Sequence, residues 1–96
     1  MKIKLDSQRL SSLAARLEAD EDAEKMADGE YVVDIYDFEP PLTMEIELEE
    51  DGFDVLACES LEFSEEMDGW YVSGRVEDPE LIKRALFSAE RGGVDE

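Results

Sequence analysis

Leu42-Thr43-Met44-Glu45-Ile46-Glu47-Leu48-Glu49 runs into Glu50-Asp51-Gly52 and then into Phe53-Asp54-Val55-Leu56-Ala57-Cys58-Glu59-Ser60-Leu61-Glu62-Phe63. The first eight residues alternate with period two. Successive side chains of a strand point to opposite faces, so Leu42, Met44, Ile46 and Leu48 line one side and Thr43, Glu45, Glu47 and Glu49 the other. Asp51-Gly52 supplies the positive φ of a hairpin turn. Phe53–Phe63 then returns as a long strand with Phe53, Val55, Ala57, Leu61 and Phe63 on one face. Glu59 interrupts that face, which predicts a bulge or bend near Cys58–Ser60. The hairpin implies a sheet with an oily inner face and a carboxylate outer face.

Upstream, Met1–Asp6 alternates Lys and apolar residues and reads as a short strand, with Ser7 as N-cap of the following helix. Leu10, Leu13, Ala14 and Leu17 form its apolar stripe. Ala19, Ala23, Met26 and Ala27 also keep helical spacing, but on nearly the opposite face. One straight helix cannot bury both stripes. A break near Glu18–Asp22 with a short second helical segment is one expectation, and an exposed second half is the other. Asp28-Gly29 reads as the end of that helix. Tyr31–Phe38 is β-branched and aromatic, and reads as a strand ending in the stiff turn Glu39-Pro40-Pro41.

Downstream, Ser64–Gly69 reads as an acidic turn. Trp70–Val76 reads as the last strand, with Trp70, Val72, Gly74 and Val76 inward and Tyr71, Ser73 and Arg75 outward. Asp78-Pro79-Glu80 starts a helix, as Asp caps it and Pro fits its first position. Leu81, Ile82, Ala85, Leu86 and Ala89 give its buried stripe, and Gly92-Gly93 its stop, with 92–96 a frayed tail. The order β-α-β-β-β-β-α predicts one α+β domain over 1–96. Its sheet is four- to five-stranded and mainly antiparallel, with helices on one face and an acidic, solvent-exposed opposite face.

Charge is the outlier of the composition. The 96 residues hold 28 acids against 9 bases and no His, for a net charge of −19. Residues 26–74 carry sixteen acids and no base, and residues 18–68 carry 21 acids with Lys25 alone. The rest of the chain therefore sums to about +1. Such segregation stores self-repulsion in one block. A halophilic protein is expected to spread its acids over the whole surface; a protein that meets a cationic surface concentrates them. The block rules out direct nucleic-acid binding, which needs a basic footprint. No apolar run is long enough to span a bilayer and no signal-peptide core is present, so a cytoplasmic location is expected, that of the host cell if the chain is phage-encoded.

Few catalytic groups are available. Without His there is no common general base. Cys58 lies among carboxylates that oppose thiolate formation. Paired glutamates on a flat sheet lack the cleft and the unequal environments that acid–base hydrolysis requires. Asp20-Glu21-Asp22-Ala23-Glu24 starts like a calcium loop, but Lys25 stands where Gly is needed and Tyr31 where a bidentate Glu is needed. No enzyme, cofactor or metal is expected.

What remains is the acidic face. Charges on one face of a strand repeat at about 6.5–7 Å, a scale similar to that of nucleic-acid phosphates. Glu45, Glu47 and Glu49 make such a row. Glu50, Asp51, Asp54, Glu59, Glu62, Glu65, Glu66 and Asp68 extend it along the neighbouring strand and its turns. In size, acidity and lack of catalytic residues the chain is similar to phage and mobile-element inhibitors of restriction or CRISPR nucleases, a resemblance carried by class rather than by motif. It implies a nucleic-acid mimic, of the anti-restriction or anti-CRISPR kind, that blocks the basic DNA/RNA-binding site of a nuclease or CRISPR effector complex. The alternative is an acidic binding protein for a basic partner, such as a toxin-immunity protein or secretion chaperone, anchored by Tyr36, Phe38, Tyr71 or the Ala19–Met26 stripe. Two simpler roles for the glutamates compete with both: keeping a sheet face soluble, and pairing with Lys2 and Lys4 in a cross-strand ladder. Exposed strand edges leave a homodimer open.

Overall fold

A computed structural model describes the backbone of residues 1–94 and the side chains of residues 1–87. Its elements are β1 (Lys2–Lys4), α1 (Ser7–Ala19), β2 (Ala23–Ala27), β3 (Glu30–Ile35), β4 (Leu42–Glu49), β5 (Gly52–Ser64), β6 (Gly69–Arg75) and α2 (Pro79–Val94). The six strands form one antiparallel sheet in the order β1-β5-β4-β3-β2, with β6 also on β5. β4 occupies one edge of β5 from Gly52 to Ser60. β1 and β6 share the other edge: β1 takes Gly52–Asp54 and β6 takes Glu59–Ser64. The fold is α+β, as its sequence pattern predicts, with six strands rather than four to five.

Both helices cover one face of this sheet. Leu13 and Leu17 of α1 and Ile82, Ala85 and Leu86 of α2 share a single core with Ile3, Tyr31, Val33, Ile35, Leu42, Met44, Ile46, Phe53, Val55 and Cys58. Each fully buried side chain of this size contributes roughly 1.5–3 kcal/mol of transfer free energy. The alternation of β4 holds: Leu42, Met44 and Ile46 are buried, and their neighbours are half-exposed. Arg16 ties the helices together, its guanidinium donating to the Leu86 carbonyl at 2.7 Å and facing Asp20 at 3.5 Å.

Four expectations are corrected. Asp6, not Ser7, caps α1, its carboxylate accepting from the Arg9 N–H at 2.8 Å. The chain does break after Ala19, but the segment that follows is strand β2, paired to β3, and no second helix forms. Helical spacing of small residues mimicked an amphipathic stripe here, whereas cross-strand pairing decided the outcome. Asp28-Gly29 is accordingly a hairpin turn, with Gly29 at φ 78°. Third, two bulges reverse the expected faces of the distal hairpin. Register slips by one at Leu56 between β5 and β4, and by one at Ser73 between β6 and β5. Val55, Cys58 and Ser60 therefore face in with Ile46, Met44 and Leu42, while Ala57, Leu61 and Phe63 face out. Trp70 and Val72, the partners of Phe63 and Leu61, face out with them. Fourth, α2 continues through Gly92-Gly93 to Val94, and residues 95–96 of the expected tail lie outside the described residues. Ile82, Ala85 and Leu86 are buried as expected and Leu81 is half-exposed, while the Ala89 side chain lies outside the described set. Asp78 caps α2, accepting from the Glu80 N–H at 3.1 Å.

Candidate partner-binding surface

The face of the sheet opposite the helices carries the predicted carboxylates. Register places Glu45, Glu47 and Glu49 of β4 beside Asp54 and Glu59 of β5, with Glu47 opposite Asp54 and Thr43 opposite Glu59. Alternation sets this along β4, and on β5 the bulge at Leu56 brings Glu59 onto the same face as Asp54. All five are half-exposed, held against the sheet rather than free in solvent. Carboxylate oxygens of Glu47, Glu49 and Asp54 lie within 4.8 Å of one another.

One end of this array is neutralised from within. Lys2 Nζ sits 2.7 Å from Glu49 Oε1 and 2.7 Å from Asp51 Oδ1, and the amino group of Met1 lies 3.0 Å from Asp54 Oδ1. The expected cross-strand ladder with the β1 lysines therefore exists for Lys2. Asp51, then Glu49, hold the Lys2 ammonium well above its ordinary range, and Lys2 holds the Asp51 carboxyl below its own. Among the described residues no ion pair reaches Glu45, Glu47 or Glu59. Glu45 and Glu47 form the uncompensated centre of the face, while Glu59 lies opposite Arg75, whose guanidinium pairs with Glu77.

The remaining predicted acids are dispersed. Glu50 and Asp51 are exposed in the β4–β5 turn, and Glu65, Glu66 and Asp68 in the β5–β6 turn. The thirteen residues of β5 separate the two turns, about 40 Å at 3.3 Å per residue, against a longest molecular dimension of 43 Å. Glu62 points away from the array, accepting from Tyr71 Oη at 2.6 Å, a bond that pushes the Tyr71 phenol up. The eleven residues thus form a central face, two charged ends and one outlier.

Sequence reading missed the other half of this face. Phe63 packs edge-on to Trp70 with ring centroids 5.4 Å apart, and Tyr36 lies 5.2 Å from Trp70 with its ring tilted by 44°. Leu61 is buried yet lies outside the main core, and Val72 pairs with it. Tyr36, Phe63, Trp70 and Val72 are each 44–52 % exposed. The two bulges create this patch: the interruption at Glu59 pointed to a bulge on β5, but it lies earlier, at Leu56, and nothing in the sequence pattern marked the one at Ser73. Of the other anchors expected, Phe38 packs on the core, Tyr71 faces the opposite way, and Met26 is exposed on edge strand β2.

Cys58 is buried on the helix side, and desolvation, with Glu59 nearby, pushes its thiol up to about 11. Against an ordinary value of 9.0, that lowers the thiolate fraction near neutrality by about 100-fold. Labelling by a thiol reagent at about pH 8 is expected to be at least that much slower in the native chain than in denaturant; equal rates would mean that Cys58 is accessible. Asp20 and Asp22 do not open a calcium loop. The Asp20 carboxylate accepts from the Asp22 N–H at 2.9 Å, and β2 begins at Ala23. Two open cavities of about 500 and 530 Å³ flank the sheet. The first brings Arg16, already bound to Leu86 and Asp20, beside Asp22, Asp34 and Asp37. The second fills the gap between β1 and β6 along β5. The second is lined by Cys58 and Glu59, but there Glu59 helps push the thiol up rather than activating it.

Comparison with protein-family models, curated proteins and solved structures gave no match. No helix is long and apolar enough to cross a membrane among the described residues.

Proposed function

We propose that this chain is a non-enzymatic acidic inhibitor. It presents a charge array like that of nucleic-acid phosphates to the basic DNA- or RNA-binding site of a protein target, such as a nuclease or CRISPR effector. The observation that carries this reading is the open sheet face on which Glu45 and Glu47 have no ion pair among the described residues, with Glu59 beside them opposite an Arg75 that is paired to Glu77. Burying those charges against Arg and Lys of a partner would relieve repulsion that the fold itself leaves in place. Charge-assisted pairs supply the contact and the long-range field speeds the encounter. The inward, high-pKa Cys58 and the absence of His support a binding rather than a catalytic role.

The test is competition. Titrated into complexes of restriction or CRISPR nucleases with labelled DNA, the chain should displace DNA from its target. Inhibition should weaken steeply as salt rises from about 50 to 200 mM, because counterion-dominated contacts do so. Displacement that is indifferent to salt, or no displacement from any such enzyme, would remove the mimic reading. A second reading is favoured by the Tyr36–Phe63–Trp70 cluster: an acidic binder of a basic protein that is not a nucleic-acid enzyme, such as a toxin or a secreted substrate. Its affinity would depend on the aromatic cluster more than on salt.

A further inference from the structure

The aromatic patch has its own recognition chemistry. Trp70, Phe63, Tyr36 and Val72 leave about half of each side chain in solvent, over the buried Leu61. Their surroundings are acidic: Asp34 accepts from Tyr36 Oη at 3.4 Å, and the turn bearing Glu65, Glu66 and Asp68 joins the two strands that carry the patch. Arg75, opposite Glu59 at this end of the face, is engaged with Glu77 at 3.5 Å. The strand beneath the patch is also open. β6 pairs with β5 alone, and its sequence Gly69-Trp70-Tyr71-Val72-Ser73-Gly74-Arg75 has neither Pro nor Lys to block strand addition.

From this geometry we infer that the β5–β6 hairpin is a docking site for an extended, arginine-bearing segment of a cationic protein partner, which adds along the free edge of β6 and lays guanidinium groups on Trp70 and Phe63. The inference rests on the reading of the chain as a binder of a cationic protein. Three observations select this occupant. Carboxylates beside aromatic faces suit a guanidinium, whose planar, weakly hydrated ion stacks on rings and pairs with carboxylates, where an ammonium remains a hydrated point charge. An open strand edge suits an extended chain, with main-chain hydrogen bonds for affinity and alternate side chains for specificity. A second copy of this chain would bring −19 against −19.

Trp70 is the sole tryptophan, so its emission reports on the patch alone. The full chain is titrated with an extended peptide in which Arg alternates with Thr, and separately with the same peptide carrying Lys for Arg. The arginine peptide should shift or quench Trp70 emission and bind about fivefold or more tighter than the lysine peptide. Phe63→Ala, at a half-exposed position, should keep the fold by circular dichroism and shrink that preference toward parity. Equal affinities for the two peptides, unchanged emission, or a preference untouched by Phe63→Ala would each overturn the inference, as would sedimentation showing a dimer closed through β6. If the preference is absent while DNA competition holds, the docking site fails alone; if both are absent, the cationic-partner reading itself fails.

Discussion

Gly52→Ala should cost this protein about 3 kcal/mol or more and strip β1 from the sheet. A Cβ built at Gly52 would lie 2.0 Å from the Ile3 carbonyl oxygen and 2.8 Å from Lys4 Cα. Both are backbone atoms, so no side-chain rotation relieves the clash. Gly52 also holds φ at 155°, where residues with a side chain are strained. The chain can respond only by displacing β1 or by bending β5. Displacing β1 exposes Ile3, which is 4 % accessible, and burial of such a side chain is worth roughly 1.5–3 kcal/mol. It also breaks the pairing of Lys2–Lys4 with Gly52–Asp54, at about 1 kcal/mol per hydrogen bond. For a chain of about 100 residues, 3 kcal/mol lowers Tm by on the order of 15 °C. Thermal and urea unfolding followed by circular dichroism measure this directly. Gly69→Ala is the control, since its nearest atom would be 3.9 Å away. Equal stability of the two variants would mean that β1 is not held as described.

The same glycine shows what the sequence carries and what it does not. Asp51-Gly52 was legible as a hairpin turn, because turn chemistry is local. That Gly52 is also the point where β1 presses on β5 was not legible, because it depends on a strand some fifty residues away. Leu42–Glu49 was legible for the same local reason: alternation sets its inner and outer faces without reference to any neighbour. Ala23–Ala27 was misread because alanines recur at helical spacing, while its pairing partner Glu30–Val33 lies across a turn. Asp-Gly before the β-branched run Tyr31–Ile35 was the signal available there, a hairpin signature taken for a helix end. The acidic face was read from β4, where counting by two is safe. The aromatic patch was lost on β5 and β6, since one extra residue at Leu56 turns the later residues of β5 and one at Ser73 turns the earlier residues of β6 to the other face. Trp70 and Phe63 then change from predicted core residues to the most specific feature of the surface.

The central carboxylates give the second large effect. Glu45→Lys with Glu47→Lys should weaken binding to a cationic target on the order of 100-fold or more while leaving the fold as stable as before, or more so. The two halves of that expectation have one cause. Glu47 shares a space 4.8 Å across with Glu49 and Asp54, of which Asp54 is met by the Met1 amino group and Glu49 by Lys2, while Glu47 is met by neither. Glu45 and Glu47 have no ion pair among the described residues, so the fold gains nothing from their charge. A lysine at 47 would sit beside two carboxylates and relieve repulsion. Facing an Arg/Lys-lined site, the same lysines turn favourable contacts into like-charge contacts, which cost several kcal/mol, and each 1.4 kcal/mol is tenfold in affinity. Urea unfolding and a DNA-displacement assay separate the two effects. A glutamate row that served only solubility would give no loss of displacement on reversal. A row that held the sheet together would give a loss of stability. Only a row kept for a partner gives a protein that is no less stable and no longer binds.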